Sequence, residues 1–154
     1  MLKSLELKIP PAVVFLTCAA AMGWVARQTA AYAWPFPGRL LVAAALAAAG
    51  GGFGLAGLWA FWKARTSVNP HRPDHASAFV VHGVYRITRN PMYLGLLLIL
   101  LAWAAYLANI PAPVFLPAFV LYMDRFQILP EERALRAKFG DTFARYAKSV
   151  RRWI

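Results

Sequence analysis

A single cysteine, Cys18, is all the thiol chemistry in the 154 residues. It stands alone in an apolar run, which excludes a disulfide framework or a cysteine metal site and predicts a small buried hydrophobe. No GxGxxG opens a strand–helix unit, and no P-loop occurs. Those absences exclude a conventional soluble Rossmann methyltransferase or dehydrogenase. His71, Asp74 and His75 are of metal-ligand type, but the HRPDH spacing fits no strong metal motif, and no metal is expected. Ser4, Ser67, Ser77 and Ser149 sit in no recognisable nucleophile context. The formal charge of +11 raises nucleic acid as a partner, yet no RNA-binding sheet, zinc finger or isolated basic domain is visible. Nucleic acid is therefore not expected.

Hydrocarbon is abundant. Hydrophobic residues make up 60% of the chain, against roughly 45–50% in soluble domains, and they fall in blocks with the charges between and after them. Block one, about 9–26, carries no charge, and Pro10 and Pro11 suit a helix start. Its apolar core exceeds that of a usual signal, so retention as a membrane helix is expected. Block two, about 40–62, is long enough to cross a hydrocarbon layer of roughly 30 Å. Within it, AAAGGGFGLAG permits close helix contact, and Gly50, Gly51 and Gly52 could equally permit a bend. The aromatics and prolines of AYAWPFPG mark an interfacial turn between the two blocks.

Blocks three and four, about 91–110 and 111–129, form a predicted hairpin through the NIPAP turn at 109–113. Block four reaches that length only if Asp124 and Arg125 face protein or snorkel. The expectation is an all-α integral membrane bundle, one domain over 1–154, with four transmembrane helices and a cytoplasmic amphipathic helix at about 130–150. Arg27 and Arg39 alone flank the first turn, whereas Lys3, Lys8, Lys63, Arg65, Arg72, Arg86, Arg89 and the basic tail fall on the other side. The positive-inside rule places both termini and the 63–90 connector in the cytoplasm. Anionic lipid headgroups are the simplest partner for that charge. The compact chain, without a eukaryotic targeting feature, favours a bacterial inner membrane.

In the tail, Pro130 suits a first helical turn, and Glu131 and Glu132 lie at its positive end. Leu135, Phe139, Phe143, Tyr146 and Val150 recur at spacings of three or four and make one apolar stripe, with Gly140-Asp141 a candidate division. Such a helix suits the surface of an anionic membrane. Where block three begins, Tyr85, Arg86, Arg89, Asn90 and Tyr93 crowd the edge of an apolar segment. One reading makes the arginines phosphate anchors, the tyrosines an aromatic belt and Asn90 a helix cap before Pro91. The other makes them one wall of a site. If the hairpin returns correctly, Asp124, Glu131 and Glu132 lie beside Arg86, Arg89 and Asn90, and ionisable groups at a membrane edge are default functional candidates.

HGVYRITRNPMYLG at 82–95 and EERALRAKFGDTFARYAKSVRRWI at 131–154 together resemble the isoprenylcysteine carboxyl methyltransferase-like family of integral membrane proteins, to which phospholipid methyltransferases are related. The resemblance covers roughly 79–154 and implies S-adenosyl-L-methionine as cofactor, enclosed by the C-terminal helices, with a lipophilic methyl acceptor entering from lipid. It implies cofactor-binding roles for His82, Gly83, Tyr85, Arg89, Asn90, Pro91, Tyr93, Gly95, Glu131 and Glu132. Many relatives carry histidine where this chain has Asn90, which cannot titrate, so no acid–base role attaches to it. Arg89 could anchor the methionyl carboxylate as a bidentate pair, and a glutamate the amino group or ribose. For catalysis, Arg125 or Arg133 could align a carboxylate acceptor, and Glu132 could take a proton from an amine or thiol. Two other functions remain open from sequence: an NADPH-dependent membrane reductase resembling sterol reductases, and a membrane scaffold or lipid-binding protein. Oligomeric state is not read from the chain.

Overall fold

A computed structural model describes residues 6–64 and 80–154. Lys3, Ser4, Arg65, Ser67, His71, Arg72, Asp74, His75 and Ser77 lie outside the described residues. Five helices follow in order: α1 Pro11–Gln28, α2 Arg39–Lys63, α3 Pro91–Leu107, α4 Phe115–Met123 and α5 Leu129–Ser149. Short 3-10 turns occupy Ala30–Tyr32, Gly83–Arg86 and Ala112–Val114, and a π-helical turn spans Asp124–Ile128.

The expected four transmembrane helices with a separate tail helix are not what the chain builds. Among the described residues, two helices are long and apolar enough to cross a membrane: α2, with 25 residues, and one continuous run of 38 residues from Ala112 to Ser149. The other two blocks fall short. α3 has 17 residues, and α1 spends the end of its 18 on Arg27 and Gln28. The fourth block and the tail fuse because the π turn absorbs Pro130. Proline has no amide hydrogen for the carbonyl four residues back and crowds it. Here Leu129 N–H instead reaches Asp124 O in the wider π pattern. The carbonyl thereby released, that of Phe126, accepts the Leu7 amide at 3.0 Å. The break in the tail comes at Gly140, whose φ of 50° and ψ of −125° kink α5 between its two halves.

A buried core joins α1, α3 and the long run: Cys18, Met22, Tyr93, Leu100, Phe119, Met123 and Ile128 pack together, and Cys18 is a free, buried thiol. α2 lies outside that core and packs chiefly on α3. The two backbones meet through glycine. A Cβ at Gly95 would stand 2.6 Å from the Gly50 carbonyl oxygen and 3.0 Å from Gly54 N. Gly50 and Gly54, four residues apart, form the small-residue face that lets helices approach in lipid. Gly95→Val is therefore expected to destabilise the protein by about 1–3 kcal/mol, the usual cost of overpacking a tight contact. Gly51, with nothing within 4 Å of its would-be Cβ, supplies the control: Gly51→Ala should leave the thermal midpoint in detergent unchanged or raised. Equal midpoints for the two variants would contradict the glycine contact.

The outer face of α2 exposes Leu40, Leu41, Leu55, Leu58, Trp59 and Trp62. So large an apolar surface suits lipid rather than water. At one end of the molecule the 29–38 loop is fastened to the turn after α3. Trp34 N–H donates to Ala108 O at 2.6 Å, Ile110 N–H to Tyr32 O at 3.2 Å, and Arg39 reaches the Tyr106 carbonyl at 3.4 Å. Asn109, 5% exposed, is the centre of this tie. Its amide donates to Thr29 O and Thr29 Oγ1 at 3.0 and 3.1 Å, and its Oδ1 accepts the Ala112 amide at 3.1 Å.

Candidate active site

The opposite end carries the charge. Pro91 opens α3, and Asn90 holds the N-cap position without capping through its side chain. That side chain turns away from the helix, donating to the Arg152 carbonyl at 2.9 Å. Thr88, fully buried, donates its hydroxyl to the same carbonyl at 3.1 Å and accepts the Asn90 amide at 3.1 Å. With Arg89 N–H bonded to Arg151 O at 3.0 Å, the segment after α5 is strapped across the entrance to α3.

The hairpin brings the two charged motifs together. Arg89 Nη2 lies 3.1 Å from Glu132 Oε1, and the two side chains are 14% and 18% exposed. Arg152 grips Glu132 from the other side with both oxygens engaged, Nε to Oε1 at 3.1 Å and Nη2 to Oε2 at 2.8 Å. Paired guanidinium–carboxylate contacts of this kind are stronger and more directional than single ones. Arg152 also stands 3.8 Å from Asp124, which accepts the Trp153 indole N–H at 3.2 Å. One residue before Glu132, Glu131 accepts a hydrogen bond from the buried Tyr93 hydroxyl. Arg89 offers Nη1 to the Ala147 carbonyl at 3.4 Å, yet its Nε is buried with no partner. A buried guanidinium N–H without an acceptor is rare in folded proteins.

Tyr85 is buried in the Gly83–Arg86 turn, with its ring edge-on to Phe61 at 5.5 Å. Its carbonyl accepts the Tyr146 hydroxyl at 2.7 Å. Burial pushes the Tyr85 hydroxyl well above its ordinary range, so the group stays protonated. His82 and Gly83, with φ of 63°, lie exposed on the approach to this turn. Pro91 is buried at the α3 entrance, whereas Gly95 lies one turn deeper at the contact with Gly50 and Gly54.

Arg125 and Arg133 do not join Arg89. Both converge on Glu6, Arg125 at 2.8 Å and Arg133 in a second close ion pair. The hydrogen bond from Arg125 is the chief reason the Glu6 carboxyl is held below its usual range. Glu6 went unnoticed in sequence, although it is one of only six acids in the chain. Thr88 and the Arg152 carbonyl also escaped notice, because backbone acceptors leave no sequence signal.

A sequence model of phospholipid methyltransferases matches residues 38–142, about two thirds of the chain. The chain belongs to the phospholipid methyltransferase family. With that membership goes methyl transfer from S-adenosylmethionine to a lipophilic acceptor, and the two long apolar helices agree with association with a membrane. The matched stretch of this phospholipid methyltransferase contains Arg89, Tyr93, Glu131 and Glu132 and stops short of Arg152. An uncharacterized protein of Haemophilus influenzae is 51% identical over 63 residues, 41% of this chain and 100% of the relative. No solved structure matches the chain.

Proposed function

We propose that the protein binds S-adenosylmethionine between the entrance of α3 and the Glu131–Glu132 step of the long helix, and methylates an acceptor that arrives from lipid. The unpartnered Nε of Arg89 beside Glu132 is the observation that carries this reading. The donor set fits the cofactor. A guanidinium with a spare N–H suits the methionyl carboxylate, and two adjacent carboxylates suit its amino group and positive sulfur. When bound, S-adenosylmethionine supplies a methyl group already activated on a sulfonium.

The chain's own task is then orientation and exclusion of water, which together contribute several kcal/mol to such a displacement. Tyr85 and Tyr93 offer buried aromatic walls, and Asn90 and Thr88 fix the strap that closes the site. His82, Gly83 and Pro91 shape the approach to it, and Gly95 sets the depth of α3 against α2. Glu132, held by two guanidiniums, serves binding. Glu131, which accepts the Tyr93 hydroxyl and has no guanidinium on it among the described residues, is the better placed carboxylate to take a proton from an amine acceptor. Engagement with Glu6 draws Arg125 and Arg133 away from the acceptor-aligning role that the resemblance implies. In this reading the charged end faces the cytoplasm of a bacterial inner membrane, an orientation the positive-inside bias supports.

Titration of the purified full chain with S-adenosylmethionine, S-adenosylhomocysteine and NADPH tests the reading. The first two should bind and NADPH should not. Preference for NADPH would replace the reading with a membrane reductase, and silence with all three with a lipid-binding scaffold.

A further inference from the structure

Glu6 ties together two points that lie on either side of Glu131 and Glu132. Its Oε1 accepts Arg125 Nη1 at 2.8 Å, and its Oε2 pairs with Arg133. Arg125 sits in the π turn, Arg133 follows Glu132 directly, and Pro130, Glu131 and Glu132 lie between them. The residues after Glu6 fasten the same stretch. Leu7 N–H donates to Phe126 O at 3.0 Å, and the fully buried Gln127 donates Nε2 to Ile9 O at 2.6 Å. Leu7 takes a φ of 58°, left-handed backbone that a bulky side chain adopts only where its surroundings hold it there. Although it carries a charge, the Glu6 side chain is only 13% exposed.

The spacing of the two arginines makes this tie sensitive to helix register. In an unbroken α-helix, residues eight apart point about 80° away from each other, because each residue turns by about 100°. A π turn takes up one extra residue, so Arg125 and Arg133 behave as if seven apart and diverge by only about 20°. One carboxylate serves both from a single side in the π register, whereas the α register swings them onto different faces. An interaction made in one of two forms shifts the balance toward that form. Loss of the π turn would also rotate everything beyond it by about 100°, carrying Glu131 off the Tyr93 hydroxyl and Glu132 off Arg89. We propose that Glu6 is a positioning residue for methyl transfer: by bridging Arg125 and Arg133 it holds the π register that turns Glu131 and Glu132 toward Tyr93 and Arg89. Its effect on binding rests on the cofactor reading above; its effect on the helix does not.

The test compares Glu6→Gln with Lys8→Gln, which removes a charge from an exposed position in the same segment, in the full chain in detergent. S-adenosylhomocysteine affinity is measured by isothermal titration, and amide hydrogen exchange is followed along the long helical run. Glu6→Gln should weaken binding at least fivefold. It should quicken exchange at least tenfold over residues 128–133 and leave 115–122 as in the native chain. Lys8→Gln should change affinity less than twofold and leave exchange unaltered. A purely structural tie would behave otherwise: exchange would rise along the whole run, or the melting temperature would fall while the folded protein kept its affinity. Either result overturns the proposal, as does native behaviour of Glu6→Gln in both measurements. If the native chain does not bind S-adenosylhomocysteine, the cofactor reading fails by itself. Faster exchange confined to 128–133 in Glu6→Gln then still upholds the hold of Glu6 on the register, and its absence still overturns it.

Discussion

Glu132→Gln is expected to weaken S-adenosylhomocysteine binding at least tenfold, a change of about 1.4 kcal/mol. It should also lower the stability of the ligand-free protein. The substitution keeps the shape of the side chain and removes the charge that two guanidiniums share. Arg89 Nη2 at 3.1 Å and Arg152 Nη2 at 2.8 Å would then face a neutral amide whose nitrogen donates rather than accepts. Arg89 is 14% exposed, so water cannot fully replace the lost acceptor. Hydrogen bonds to charged groups contribute about 1.5–3 kcal/mol, and a loss in that range is expected. Arg27→Ala, at the end of α1, supplies the control and should alter neither measurement. Isothermal titration and thermal melting on the same preparations separate a binding effect from a folding effect. Unchanged affinity in a folded Glu132→Gln protein would remove Glu132 from the site.

The second large effect lies at the other end of the molecule. Asn109→Leu should lower stability by about 2–3 kcal/mol, because it strips hydrogen-bond partners from the buried Ala112 amide and from the half-buried Thr29. The Thr29 carbonyl and hydroxyl and the Ala112 amide would all lose the Asn109 side chain. For a protein of this length that corresponds to a fall of roughly 5–10 °C in Tm. Thr29→Ala should fall less, since it leaves the Thr29 carbonyl bonded to the asparagine. A melting temperature unchanged in Asn109→Leu would show that the two turns are held by their backbone bonds alone.

The two ends of the molecule were unequally legible in the sequence. The meeting of Arg89 and Glu132 follows from a short turn at 109–113 joining two apolar stretches with charged outer ends, because a hairpin returns its ends to one side. Helix count was harder to read. Hydropathy locates Pro111–Met123 and the tail as different in character, but it carries no signal for a π turn that accommodates Pro130 and fuses them. The glycines of α2 announce a close contact without naming its partner. Gly95, set in the run GLLLILLA, looks like part of the motif before it until its separation from the Gly50 carbonyl is measured. The strap is illegible for a different reason: Thr88 and Asn90 bind the carbonyl of Arg152, a group every residue possesses. Arg125 and Arg133 have the right chemistry for a site and the wrong neighbour, since the acid they pair with is Glu6, more than a hundred residues earlier in the chain.

The same strap gives the site its sensitivity to residues beyond the family-matched stretch. Arg152 lies outside residues 38–142, yet it contributes both a guanidinium to Glu132 and a carbonyl to Thr88 and Asn90. The cofactor reading therefore depends on two elements that approach from opposite ends of α5.

A double-mutant cycle on S-adenosylhomocysteine affinity, with Arg89→Ala, Glu132→Ala and the two combined, probes that dependence at its centre. If Arg89 and Glu132 act as one unit on the cofactor, the combined variant should bind within about threefold of the weaker single variant, each single loss being tenfold or more. Losses that multiply, or native affinity in all three proteins, would mean that the pair does not hold the cofactor.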